Sequence, residues 1–144
     1  RESDIWMDYA REKGYKLIVS SGHSMGGFSA LGVAARQKAV SGAVAINGSG
    51  HWPLSHLFFQ ARFGQLYTLA DEINNDVEEL SPHIHAQTLK EKPLYLIHGA
   101  VDKSVDPRTE LVEDLGHFVT TGMLVSATDW LGKRFLYTGK KEKL

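Results

Sequence analysis

The sequence predicts an α/β fold, a parallel sheet flanked by helices. Short apolar runs at Leu17-Ile18-Val19, Ala43-Val44-Ala45-Ile46 and Leu94-Tyr95-Leu96-Ile97 have the length of buried strands. Helical patterns lie between them, and strands that alternate with helices form parallel sheets. Two of the runs lead into glycine-bearing turns that carry reactive side chains, Gly22-His23-Ser24-Met25-Gly26-Gly27 and His98-Gly99-Ala100-Val101-Asp102. Open parallel sheets place ligands beyond the carboxyl ends of their strands, so Ser24 and Asp102 are expected on one edge.

Residues 3–13 read as an amphipathic helix with Ile5, Trp6 and Tyr9 turned inward, closed by Gly14. Residues 16–21 form the first strand. Residues 25–37 form the next helix, with Phe28, Leu31 and Ala35 at helical spacing, and 43–46 the second strand. The stretch from Asn47 to Leu89 departs from the alternation. It is aromatic at its start (Trp52, Phe58, Phe59, Phe63, Tyr67) and acidic later (Asp71, Glu72, Asp76, Glu78, Glu79). Pro93 opens the third strand. Pro107 to Leu115 suits a short helix with Glu110, Glu113 and Asp114 on its wet side, and no strand fits before Gly116-His117. The last helix, 119–135, turns Leu124, Ala127, Leu131 and Phe135 to the sheet, and Lys140-Lys141-Glu142-Lys143 is a solvated tail.

Composition narrows the function classes. The 144 residues, 42% of them hydrophobic, suit a single domain, 1–144, with a real core. A formal net charge of -1 argues against nucleic acid as a partner. The lack of cysteine excludes disulfides, thiolate catalysis and cysteine zinc sites, and fits a cytoplasmic setting. No apolar run approaches the length of a membrane span, and no signal-peptide pattern follows Arg1.

The glycines around Ser24 are chemically informative. A chain that reverses from strand to helix within a few residues strains the residue at the tip, and no room is expected for a Cβ at Gly22 or Gly26. Ser24 then projects its hydroxyl, while the N–H of Met25, first in the new helix, is free to donate to an oxyanion. Asp102, by itself, reads better as a solvated loop residue. Paired with this elbow in the order serine, acid, histidine, it reads as a triad acid.

Seven histidines compete for the base. His23 sits on the elbow, where an imidazole packs or touches substrate. His98 is most simply a structural histidine in its turn. His51, His56, His83 and His85 lie in the middle stretch without carboxylate or cysteine at metal-ligand spacing, so no metal site is expected. His117 follows a glycine and precedes a helix, on a loop at the domain edge.

The wording GHSMGG, INGSG, PLYLIHGAVDKSV and GHFVT resembles the alpha/beta-hydrolase superfamily, most of all small bacterial carboxylesterases of the dienelactone-hydrolase and prolyl-oligopeptidase-like branch. The resemblance implies that Ser24 is the nucleophile, Asp102 the acid and His117 the base of a serine carboxylesterase that needs no cofactor. It also implies a cap-like insertion over about 48–89, in which His51, Trp52 and Phe58 join His23 as substrate contacts; plain helix packing is the other reading of those aromatics. It implies that the fold's N-terminal strands, with the second oxyanion-hole loop, are absent from this chain. The interval from Asp102 to His117 is too short for the helix and strand the family places there. A segment missing there would leave consecutive Cα atoms farther apart than about 3.8 Å between residues 106 and 116, near Glu110 or Leu111.

The expected partner is a small-molecule ester. A serine peptidase or acyltransferase on the same fold is the near alternative. A non-catalytic hydrolase fragment that binds or assembles is the third reading, because a sheet with open edges is relieved by a homodimer or another chain.

Overall fold

The computed structural model describes residues 2–63, 71–102, 110–112 and 117–137. Four parallel strands lie side by side in chain order: β1 (Val19–His23), β2 (Gly42–Ile46), β3 (Leu94–Gly99) and β4 (Glu110–Val112). Val19 stands opposite Gly42, Ala43 opposite Leu94, and Ile97 opposite Glu110. Between and around them run α1 (Glu2–Glu12), α2 (Met25–Arg36), α3 (Trp52–Phe63), α4 (Asp71–Leu80), a 3₁₀ turn (Pro82–His85), α5 (Ala86–Lys90) and α6 (Thr121–Leu131). A single turn of π-helix, Gly132–Leu136, extends α6.

Crossovers between parallel strands are right-handed, and this strand order never reverses. Helices α2 and α5 therefore share a face, with α1 beside them, while α6, after the last strand, closes the other. Strand β2 is buried throughout and supplies both cores by alternation. Ala43 and Ala45 pack with Met7 of α1, Leu31 of α2 and Leu89 of α5. Val44 and Ile46 pack with Ile97, Met123 and Ala127. Alanines on the first side let α2 lie close to the sheet, which brings its first residue to the strand ends. Lys92 fixes the other end of α2, donating to the carbonyl of Ala34 in its last turn (2.6 Å) and to that of Gln37 just beyond it (2.8 Å).

Several sequence expectations shift. Strand β1 starts at Val19, later than 16, because the chain joins the sheet only where β2 offers partners, and Leu17 stays exposed. Helix α1 is rotated from the expected face: Ile5, Trp6 and Tyr9 are exposed and Met7 is buried. Gln37 anchors that orientation through Asp4 Oδ1 (2.6 Å) and Ser3 Oγ (3.2 Å), and residues 3 and 7 lie on one side of a helix. In α6, Met123 and Ala127 face the sheet, so Leu124, one residue farther round, points outward.

The interval before His117 also differs from expectation. Glu110–Val112 is a strand, not part of a helix, and pairs residue for residue with Ile97–Gly99. The ladder is continuous through Glu110 and Leu111, so no chain break falls there. Three residues of extended chain need far less length than a helix with a returning strand. Residues 103–109 and 113–116 lie outside the described residues, as do Tyr67, the side chains of Phe59, Phe63, Asp71 and Glu72, and the basic tail. No helix among the described residues is long and apolar enough to cross a membrane.

Candidate active site

The turn between β1 and α2 is built from backbone contacts. A Cβ on Gly22 would stand 2.2 Å from the carbonyl carbon of Gly26, so glycine is the only residue that fits at position 22. Gly26 differs from the sequence expectation: a Cβ there would meet nothing within 4 Å. The close approach is one-sided, because the backbone of residue 26 occupies the space that a side chain on 22 would need. Gly27 and Gly48 provide the second tight contact, with a Cβ on Gly48 only 2.8 Å from the Gly27 carbonyl carbon. Held this way, Ser24 adopts φ 54° and ψ -122°, a conformation disfavoured for any residue with a side chain.

Ser24 precedes Met25, the first residue of α2, and its hydroxyl makes no capping bond to that helix. The first N–H groups of a helix have no intrahelical acceptor, so the Met25 N–H is at such a position. The serine Oγ instead lies 2.7 Å from His117 Nε2. On the other side of the same ring, His117 Nδ1 lies 2.7 Å from Asp102 Oδ2. Because a carboxylate only accepts, Nδ1 carries the proton and Nε2 is left to accept from the serine hydroxyl. Two neighbouring serines are engaged otherwise: Ser20 donates to the Ala30 carbonyl (2.8 Å), and Ser49 accepts from the His51 N–H (3.1 Å).

Two residues given no role in the site by the sequence reading hold this arrangement. Asp102 is buried, and its Oδ2 also accepts from His98 Nε2 at 3.0 Å. His98 is wholly buried at the carboxyl end of β3, so the turn histidine grips the same carboxylate as His117. Asn47, also wholly buried, follows β2 with φ 49°. Its Oδ1 accepts from the Gly99 N–H (3.0 Å), and its Nδ2 donates to the Phe118 carbonyl (3.1 Å) and lies 3.4 Å from His23 Nε2. One amide thus joins the roots of β2, β3 and the loop bearing His117. The signal was present in the sequence: an asparagine that ends an apolar strand before Gly-Ser-Gly tolerates the left-handed region and can bond to neighbouring backbone.

His23 lies beside the cluster, its ring 5.2 Å from that of His117 and tilted by 37°. Burial, and then the charge of His117, hold His23 below the usual histidine range. His51 lines a cavity of about 430 Å³ whose lining includes neither Trp52 nor Phe58, the residues expected with it, nor Ser24. Trp52 is turned against α2, where its ring would meet a Cβ on Gly32 at 2.8 Å. Phe58 is half-buried on α3. Among the described residues, no group of three or more histidine, cysteine or carboxylate side chains is placed to hold a metal.

Three solved structures share the fold at low identity. An acylaminoacyl peptidase of Pyrococcus horikoshii superposes at TM-score 0.54 and 19% identity, over 76% of this chain and 22% of its own. An esterase of Pyrococcus furiosus does so at 0.54 and 20%, over 88% and 55%. A structure from a study of carboxylesterases of the thaumarchaeon Nitrososphaera gargenis does so at 0.56 and 16%, over 91% and 70%. The chain therefore spans about a fifth of the peptidase and just over half of the Pyrococcus furiosus esterase. A comparison with curated proteins finds no match. The family model for the prolyl oligopeptidase family, Peptidase_S9, matches residues 6–113, which include Ser24 and Asp102 and stop short of His117. With the elbow and the acid loop inside that match and a parallel sheet flanked by helices beneath them, the chain belongs to the prolyl oligopeptidase family and carries part of the alpha/beta-hydrolase fold.

Proposed function

We propose that the chain is the catalytic part of a serine esterase that cleaves small carboxylic esters through an acyl-enzyme, in the cytoplasm that its cysteine-free composition fits. The observation that carries this reading is the single imidazole of His117 within 2.7 Å of both Ser24 Oγ and Asp102 Oδ2. His117 Nε2 takes the hydroxyl proton as Ser24 Oγ attacks the ester carbonyl carbon. Asp102 keeps the other proton on Nδ1 and stabilises the imidazolium. The Met25 N–H donates to the oxyanion, a contact whose loss typically costs about 3 kcal/mol of transition-state stabilisation. The imidazolium then protonates the departing alcohol. In the second half, water loses a proton to His117 as it attacks the acyl carbonyl, and Ser24 leaves as the free hydroxyl. His23, at the ring of His117, and Phe58 of α3 are the proposed substrate side.

Peptide hydrolysis is the second reading, favoured by the family match and by the likeness to an acylaminoacyl peptidase. The same residues serve, with His117 protonating an amine rather than an alcohol. A fluorophosphonate probe followed by peptide mapping tests both. Labelling is expected at Ser24 and absent in Ser24→Ala. Label on Ser20, Ser21 or Ser49, or label that survives the substitution, removes Ser24 from the mechanism. Comparing 4-nitrophenyl butyrate with an acyl-aminoacyl 4-nitroanilide then separates ester from peptide activity.

A further inference from the structure

The cavity that His51 lines lies outside the Ser24 cluster and has its own chemistry. Its inner wall is apolar, made by Leu31 of α2, Leu89 of α5, and Leu94 and Leu96 of β3. Its volume, about 430 Å³, falls within the range of small-molecule sites. At its rim the imidazoles of His51 and His83, both exposed to solvent, stack face to face with centroids 3.9 Å apart and planes within 7°. Lys90 stands on the same lining.

Local bonds fix how both rings are protonated. His51 Nδ1 accepts the Leu54 N–H at 3.2 Å, so its remaining proton is on Nε2. His83 Nδ1 lies 2.7 Å from Ser81 Oγ. That hydroxyl is wholly buried and accepts from the Trp52 N–H at 3.0 Å; its own proton needs an acceptor, and among the described residues His83 Nδ1 is the one within reach, which assigns the donor role to Ser81 Oγ. His83 therefore also carries its proton on Nε2. Two N–H donors on adjacent parallel rings, a lysine on the same lining and a leucine wall match a charged head on an apolar chain.

We infer that this cavity binds a medium-chain aliphatic carboxylate, its chain against the four leucines and its carboxylate shared between His51 Nε2–H and His83 Nε2–H with Lys90 nearby. The site is separate from the proposed ester chemistry, and its test leaves that reading untouched. Titration calorimetry on the whole chain carrying Ser24→Ala uses octanoate as the probe and 1-octanol as the uncharged chain of equal length. Octanoate is expected to bind one site, and octanol at least tenfold more weakly. The double variant His51→Ala/His83→Ala should weaken octanoate at least tenfold and move octanol by less than threefold. Ala86→Trp, at an exposed lining position where folding is little affected, should block both ligands. Absence of octanoate binding, equal affinity for octanol, or octanoate binding that survives both the histidine and the tryptophan variants overturns the inference. Loss of octanoate binding on adding His117→Ala, with the two rim histidines intact, also overturns it by assigning the carboxylate to the catalytic cluster.

Discussion

The elbow and the histidine loop meet at one hydrogen bond, yet they are held by opposite means. Ser24 is fixed by its sequence neighbours: Gly22 against Gly26, a strand that ends at His23, and a helix that starts at Met25. His117 is fixed from far along the chain, by Asp102 on its ring and by Asn47, 71 residues away from the Phe118 carbonyl that it holds. Backbone contact gives the elbow a rigidity that no side chain can relax. The loop depends on a few buried polar bonds, each costly to leave half-made. Damage to the first region should therefore appear as loss of the fold, and damage to the second as loss of alignment.

The largest expected effect is Gly22→Ala. Its methyl would stand 2.2 Å from main-chain atoms of residue 26, and neither strand nor helix end can give way without breaking the β1–β2 ladder. We expect a loss of about 3 kcal/mol or more in urea unfolding, or failure to accumulate folded protein. Ser24→Gly, two residues on, should have the opposite sign. It relieves a positive φ and should stabilise by about 1 kcal/mol while abolishing fluorophosphonate labelling. Equal destabilisation by both substitutions would refute the account of the elbow as a contact-limited turn.

Asn47→Ala attacks the other region. It leaves the Gly99 N–H and the Phe118 carbonyl without their partner and puts alanine at φ 49°. A loss of about 2 to 3 kcal/mol is expected. If the reading of the triad holds, kcat should fall at least about 100-fold with little change in KM, because a displaced His117 disturbs chemistry more than binding. Asn47→Gly, which removes the amide but accepts the backbone conformation, should recover part of the stability and none of the rate. Full activity in Asn47→Gly would show that the amide does not align the loop.

The same contrast explains what the sequence made legible. The elbow, β2 and the β3 turn with Asp102 could be read directly because each is a local pattern: an apolar run, then glycine and a reactive side chain. The roles of Asn47 and His98 could not, because each depends on which distant backbone the fold brings within about 3 Å. Helix α1 turns a face inward that its apolar pattern does not announce, for a related reason. Its apolar stripe of Ile5, Trp6 and Tyr9 is stronger than the face bearing Met7, yet the bonds from Gln37 turn Met7 inward. Strand β4 is three residues long and carries no alternation to recognise; its pairing with β3 alone defines it.

A smaller effect is expected where the histidine loop enters α6. Thr120 caps that helix, its Oγ1 accepting the Met123 N–H at 3.2 Å. Thr120→Ala should cost about 1 kcal/mol. Met123 is buried in the core on that face, so the loss should appear in global unfolding. Thr120→Ser should restore most of it. A rate loss in Thr120→Ala as large as that of Asn47→Ala would mean that the helix start, rather than the asparagine, sets the position of His117.

The smallest effect, and the one that probes the contact between the two regions, is the dependence of stability on pH through His23. Burial first, and the neighbouring His117 second, hold its folded pKa below 6.5. The unfolded chain then binds the proton more readily, so stability is complete above pH 6.5 and is lost as pH falls through the folded value. His83 is lowered in the same direction, by burial and by His51, so the whole protein should soften on acidification with or without His23. The informative quantity is the difference between wild type and His23→Gln, which keeps a group able to accept from Asn47 but cannot titrate. Melting temperatures measured from about pH 8 down to about pH 5 should run parallel at the upper end and converge or cross at the lower one. Parallel curves throughout would show that protonating His23 costs the folded state nothing, and that elbow and loop are not coupled through that ring.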